Sequence, residues 1–360
     1  MKKNIFLVSS RAITLNNFFD IFVKNKKFNF LLGCFDIQNL KFKKSKTKLY
    51  LDFKLIKLFN PILILLNLIQ NLLKIKNLKF DLILVNTPLA AFYMRLVSFF
   101  LKKKIIYIVH GFRFHSSERN LKSYIFYLYE KLFSFITSYY IVLNNEDYQI
   151  VSKNFKINNK NILKIPSIGI NYRKFLKLKT IKKNKNFNIG IISAYRVNKG
   201  YDDLIEIAQR LQRKKLNIEF HCYGYDDKKK YLLKIKKNNL KNICLNNYEE
   251  KIYKKIQKFD ILCHFSKREG MPISLLESIS IGVPVICYDI RGNRDIVTNN
   301  LNGYLIKPFC TNDFQKKIIQ LYKNKSKLRY LKKNCKKSIK SYHDKKFVSS
   351  MISNFINGIK

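Results

Sequence analysis

Short runs of β-branched and aromatic residues alternate with longer amphipathic stretches along this chain, and that alternation limits the possible folds more than any other feature. Ile5–Val8, Phe28–Gly33, Asp81–Asn86, Ile105–Val109, Tyr139–Leu143 and Ile162–Ile165 form a first series. A Lys- and Asn-rich stretch, Arg173–Asn186, interrupts it. A second series follows with Asn188–Ser193, Ile218–Cys222, Asn242–Leu245, Asp260–His264 and Val283–Tyr288. Strand, helix, strand repeated in this way predicts parallel sheets covered by helices on both faces. The chain should therefore fold as two doubly wound α/β domains, residues 1–172 and 187–335, joined by a linker. Residues 336–360, Lys-rich with spaced Tyr, Leu and Ile, are expected to form a terminal helix that packs back on the first domain. Ligands of such sheets bind beyond the carboxyl ends of the strands, so facing domains would share a cleft.

With 360 residues there is length for two cores, and 47% apolar residues exclude a disordered polycation. The 71 Lys and Arg outnumber 23 Asp and Glu, giving a formal charge of +48. The excess is spread evenly, +20 before residue 170 and +28 after it, so it is not an appended basic arm. Abundant Lys, Asn, Ile, Phe and Tyr beside only 11 Gly and 6 Pro is also the profile that an AT-rich genome produces. No zinc-finger spacing, RNP strand or isolated basic helix accompanies the charge, so no nucleic-acid partner is expected. The seven cysteines form no C-x-x-C pair and sit mostly in apolar runs, which fits a reducing compartment.

Lys2-Lys3 is followed by an apolar run that stops at Ser9-Ser10-Arg11, short of a secretory signal, so a cytoplasmic location is expected. The stretch Pro61–Leu73 is too short and too interrupted by Asn67, Gln70 and Asn71 to span a bilayer. Its apolar residues nevertheless run nearly all round a helix flanked by lysines, which suits peripheral docking on a membrane surface.

Glycine is scarce here, so each one marks a position where another residue would be strained. Four of the eleven lie between Gly270 and Gly303. In Glu269-Gly270-Met271-Pro272-Ile273-Ser274-Leu275-Leu276-Glu277, Pro272 suits the start of a helix, and Gly282 with Pro284 suits its end. The free N–H groups and dipole of that start favour an anion such as a phosphate. Glu269 precedes the helix and Glu277 lies within it, roughly 7 Å along the axis. A carboxylate accepts both hydrogens of a vicinal diol, so Glu277 can hold a ribose and Glu269 a hexose, with a diphosphate between them.

This segment is similar to the donor-binding signature of the family 4 glycosyltransferases, retaining enzymes of the GT-B fold, whose E-x7-E pattern falls on Glu269 and Glu277. Asn86–Ala91, Ile108–Phe114, Asn144–Tyr148 and Ile165–Ile170 resemble the N-terminal half of members that build bacterial capsule, exopolysaccharide or O-antigen. The resemblance implies two facing Rossmann-like domains and transfer of a hexose from a nucleotide sugar, most commonly UDP-linked. The implied acceptor is a saccharide, linked to polyprenyl diphosphate. Glu269 and His110 would be catalytic, and Gly270, Met271, Pro272, Ile273 and Ser274 would cradle the diphosphate. Glu277 would take the ribose, and Arg196 and Lys199 are the basic pair for the diphosphate. His264, ending an apolar strand, reads as core.

No Asp-x-Asp occurs, so no metal or other cofactor is expected. The family's glycine-rich turn after the first strand is replaced by Ser9-Ser10-Arg11-Ala12-Ile13, and Ser10 and Arg11 are expected to line the acceptor side. Two other classes stay open at this point: a basic nucleic-acid-binding protein, and a non-catalytic partner of the same fold at the membrane.

Overall fold

The computed structural model describes residues 2–19, 27–40, 47–51, 61–114, 120–181 and 186–359. They divide into two compact units, Met1–Ile168 with Lys346–Lys360, and Gly169–Lys345.

The first unit contains strands β1 (Lys3–Val8), β2 (Phe28–Cys34), β3 (Thr47–Tyr50), β4 (Leu82–Val85), β5 (Lys104–Val109), β6 (Tyr139–Val142) and β7 (Ile162–Lys164). Its helices are α1 (Ala12–Phe19), α2 (Pro61–Ile75), α3 (Pro88–Phe100), α4 (Leu121–Ser134) and α5 (Asn145–Gln149). The strands form one sheet in the order β3-β2-β1-β4-β5-β6-β7, with every pairing parallel. Parallel strands covered on both sides need apolar residues at nearly every position. Leu82–Val85 and Ile105–Val109 supply them and are buried throughout.

In β5, Ile105, Tyr107 and Val109 point to one face, where they pack with Leu68 and Ile75 of α2, Met94 and Val97 of α3, and the half-buried Phe126 and Tyr127 of α4. These three helices therefore form a single layer on one side of the sheet, as right-handed crossovers running toward β6 require.

The second unit contains α6 (Tyr172–Lys177), β8 (Phe187–Ile192), α7 (Tyr201–Arg213), β9 (Ile218–Tyr223), α8 (Lys229–Lys237), β10 (Ile243–Asn246) and α9 (Tyr253–Ile256). It continues with β11 (Ile261–His264), α10 (Ile273–Ile281), β12 (Val285–Tyr288), β13 (Gly303–Ile306), α11 (Thr311–Lys323) and α12 (Lys325–Ser338). The sheet order is β10-β9-β8-β11-β12-β13, again all parallel. One face packs on α7 and α11 through Leu204, Leu211, Phe314 and Ile318; the other packs on α10 through Leu275, Leu276 and Ile279.

The last helix, α13 (Lys345–Asn357), runs into the first unit. Lys3 Nζ donates to the Ile356 carbonyl at 3.0 Å, and Phe355 meets Tyr139 edge-on at 5.9 Å.

Two details differ from the sequence expectation. The edge strands β3 and β13 are not anticipated: Thr47–Tyr50 carries little apolar pattern, and Gly303–Ile306, though apolar, is a run of only four residues opened by glycine. The stretch 173–186 is not simply a linker: the unit boundary falls at Ile168 and Gly169, and Tyr172–Lys177 is helical with Phe175 buried in the second unit. Residues 182–185 of that stretch lie outside the described residues. Among the described residues no helix is long and apolar enough to cross a membrane.

Candidate active site

β11 lies inside the second sheet, between β8 and β12, and delivers the chain to the carboxyl edge at His264. Phe265 anchors the exit: it is buried and stacks on Phe314 with ring centres 4.3 Å apart. The following loop is fixed from two sides. On one, the Lys267 N–H donates to the Asn198 carbonyl at 2.9 Å, and Gly200 lies so close that a β-carbon there would meet the Phe265 carbonyl oxygen at 2.1 Å. Gly200 also has φ +72°, the left-handed region in which glycine is unstrained. On the other, a β-carbon at Gly292 would sit 2.3 Å from the Gly270 carbonyl oxygen. Two glycines thus let backbone pack on backbone around the loop that holds Glu269.

Glu269 is well enclosed, its side chain only 14% exposed. Its Oε1 accepts from Lys199 Nζ at 2.5 Å and lies 3.0 Å from His264 Nε2. Burial by itself would raise this carboxyl, but Lys199 and His264 outweigh burial and hold it well below the usual carboxylate range. Glu269 is thus a fixed anion. Lys199 reaches it from the short 3-10 turn Val197–Lys199 just ahead of α7. His264, read as core from the sequence, is almost fully buried yet turns its ring to the site. The signal was available in the five-residue spacing from His264 to Glu269, across a tight strand-to-loop exit.

Pro272 precedes α10 with extended backbone, and no side chain caps the helix. Met271 and Ile273 pack partly into the core beneath, and Ser274 sits half-buried in the first turn. Glu277 lies about one turn beyond the helix start, roughly 6 Å along the axis. It is half-buried, hemmed in by protein, and makes no hydrogen bond or ion pair among the described residues. Burial pushes the Glu277 carboxyl up to about 7, and the positive charge of Lys345 opposes that rise without cancelling it.

Arg196 is directed elsewhere. It pairs with Asp226 and lies over the Tyr225 ring at 5.6 Å, so the basic pair read from the sequence separates, with Lys199 on Glu269 and Arg196 outside that cluster.

In the first unit, the residues singled out from sequence fall on the carboxyl edge of the sheet. Ser10 and Arg11 form the turn after β1, where the Ser10 N–H donates to Thr87 Oγ1 at 2.9 Å; the Arg11 side chain is exposed. His110 directly follows β5. Phe18 meets its ring edge-on at 6.0 Å, its Nε2 is buried without a hydrogen-bond partner, and burial lowers it to about 4, so the imidazole is neutral near pH 7. Between them in the sheet order, Asn86 follows β4 with both amide atoms buried and unpartnered. Sequence reasoning does not single out Asn86 as a site residue, since a lone Asn after a strand reads as a turn.

Residues 173–338 match the family model described as glycosyl transferases group 1. Over 304 residues the chain is 27% identical to EpsD of Bacillus subtilis (strain 168), a glycosyltransferase by its name, covering 78% of this chain and 80% of that protein. It is 26% identical to the UDP-Gal:alpha-D-GlcNAc-diphosphoundecaprenol alpha-1,3-galactosyltransferase of Escherichia coli, over 65% of this chain and 64% of the other. Among solved structures, Anabaena HepE in complex with UDP and glucose superposes with a TM-score of 0.78 at 16% identity, covering 100% of both chains. The fold is GT-B, and residues 173–338 carry the likeness to the group 1 glycosyl transferases.

Proposed function

We propose that the chain is a retaining hexosyltransferase that takes a sugar from a nucleotide sugar, UDP-linked, and adds it to a saccharide carried on polyprenyl diphosphate in bacterial surface polysaccharide synthesis. The observation that carries this reading is Glu277, a half-buried carboxylate with no internal hydrogen bond among the described residues, one turn inside a helix whose start no side chain caps. A ribose diol supplies the two donors that Glu277 lacks. The first-turn N–H groups of α10 and the Lys199 ammonium suit a diphosphate. The names of the relatives, one of them acting on a diphosphoundecaprenol-linked sugar, support the donor and acceptor classes.

Glycosidic bond cleavage leaves negative charge on the departing diphosphate. In this reading Lys199 and α10 stabilise that charge, so no metal ion is assigned the task. Glu269, kept ionised by Lys199 and His264, is assigned to accept from hydroxyls of the sugar and to favour the positive charge that develops on its ring. Neutral His110 offers an unpartnered nitrogen to a sugar hydroxyl, and Ser10 and Arg11 are assigned to the acceptor. Retention follows when the acceptor hydroxyl attacks on the face the diphosphate leaves, with positioning rather than a protein nucleophile lowering the barrier.

The test is a thermal-shift panel of UDP, GDP, ADP and CDP on the purified chain and on Glu277→Gln. A nucleotide at 100 times its dissociation constant adds about 2.7 kcal/mol. UDP should raise the melting temperature of the native chain and much less that of the variant; no response to any of the four overturns the reading.

A further inference from the structure

Lys307-Pro308-Phe309-Cys310 leads the chain from β13 into α11 at the carboxyl edge of the second sheet, and the Cys310 N–H closes a turn on the Lys307 carbonyl at 3.1 Å. Proline second and a positive φ third is the pattern of a type II turn, whose third position takes glycine. Here that position is Phe309, at φ +64°. Among the described residues, seven non-glycine residues have φ between +48° and +74°; the other six are Lys, Asp or Asn, and Phe309 alone is apolar. A bulky side chain strains the backbone in that region, and strain of this kind clusters at functional sites.

The strained ring is also open. Phe309 is 61% exposed although its neighbours hold it: the Lys267 ammonium lies over the ring, 5.1 Å from its centre, and Tyr288 meets it at 6.2 Å. Tyr288 is itself buried, and its hydroxyl donates to Asp203 Oδ2 at 2.7 Å. Lys267 Nζ lies 4.0 Å from Asp203 Oδ1, and Lys307 is exposed at the start of the turn. In the loops that follow β11, β12 and β13, no other large apolar side chain is exposed among the described residues.

We propose that Phe309 is the platform for one sugar ring of the saccharide acceptor. A pyranose carries a patch of C–H groups on one face and hydroxyls round its rim, so it fits a single open aromatic face with hydrogen-bonding groups beside it. Phe309 supplies the face, Lys267 and Lys307 the donors, and Asp203 an acceptor. One ring flanked by lysines is too small and too charged for the core of a protein interface. Glu269, two residues beyond Lys267, is assigned to the donor sugar, which leaves Phe309 for a ring of the acceptor. That last step rests on the transferase reading; sugar binding at Phe309 does not.

The test therefore uses no nucleotide, so its failure and that of the nucleotide panel are distinguishable. Saturation-transfer NMR is recorded with the methyl glycosides of glucose, galactose and N-acetylglucosamine. The native chain should transfer saturation to the ring C–H protons of at least one of them. Phe309→Gly should weaken that binding about tenfold, and Phe309→Tyr should keep it. Because glycine relieves the turn, Phe309→Gly should melt at the native temperature or up to about 4 °C above it. The chain has no tryptophan, so Phe309→Trp adds a single indole, whose emission should shift to shorter wavelength when the same glycoside is added. Saturation of none of the three glycosides overturns the proposal, as does undiminished binding by Phe309→Gly. A glycine variant that melts well below the native chain or does not fold overturns it too, since the ring would then be structural. An indole emission that no glycoside moves overturns it equally.

Discussion

At the carboxyl edge of the second sheet, Glu269 is an anion held by a lysine and a histidine, whereas at the same edge of the first sheet Asn86 and His110 are neutral and have buried polar atoms without partners. Both edges are built by the same parallel architecture. The difference lies in what each would recognise. Fixed charge suits a ligand that carries or develops charge, while unpartnered neutral groups suit hydroxyls, whose donors and acceptors they can match.

The sharpest way to break this comparison is Glu269→Gln, which removes the fixed anion and keeps its shape. Transfer should fall by roughly 100- to 1,000-fold in kcat, on the scale of losing one electrostatic stabiliser of a transition state. Near-native turnover would place the charge elsewhere.

His110→Ala addresses the neutral edge, and a loss of about 10- to 100-fold is expected, smaller than for Glu269 because no full charge is removed. Since burial keeps His110 at about 4, the rate profile between roughly pH 6 and 9 should show no limb from it. A limb near the ordinary histidine value of about 6.5 that disappears in His110→Ala would contradict the assignment.

Glu277 sharpens the charged side. Its carboxyl is raised to about 7 from an ordinary 4.5, so its contribution to stability is present below pH 4.5 and is lost as pH rises through 7. A diol prefers the ionised form, so nucleotide affinity moves oppositely and should fall roughly tenfold from about pH 8 to about pH 6. Calorimetric titration at the two pH values measures it, and Glu277→Gln should flatten the dependence.

The smallest effect is expected for Arg196→Ala. Arg196 pairs with Asp226 at an exposed position, where such pairs contribute little, so UDP affinity should change less than about threefold. Lys199→Ala should weaken it by clearly more.

Strand positions are legible in the sequence because a parallel sheet demands apolar runs such as Ile105–Val109. Thr47–Tyr50 escapes because an edge strand needs fewer such residues, and Gly303–Ile306 escapes because its apolar run is short and opens on glycine. The Lys- and Asn-rich stretch after residue 172 reads as a linker because lysine is common everywhere in this chain and Phe175 is the lone buried side chain of its short helix. The acids of the candidate site are visible through their spacing and the glycine beside one of them. His264 is hidden by its apolar strand, since periodicity reports burial and says nothing of which way a ring turns at the strand's end.

The buried Arg95–Glu130 pair beneath α4, 2.9 Å from Nη1 to Oε2, sets how that helix is turned about its own axis. Rolling α4 by half a turn would draw the exposed Leu121, Leu128 and Leu132 inward, but it would carry Glu130 out to water, turn Phe126 and Tyr127 away from the core and leave Arg95 of α3 buried without that carboxylate. Two charges shut away from water resist separation more than they add to stability. Replacing both with aliphatic residues of similar volume would therefore cost the fold little, while replacing one alone would strand the other charge in the core.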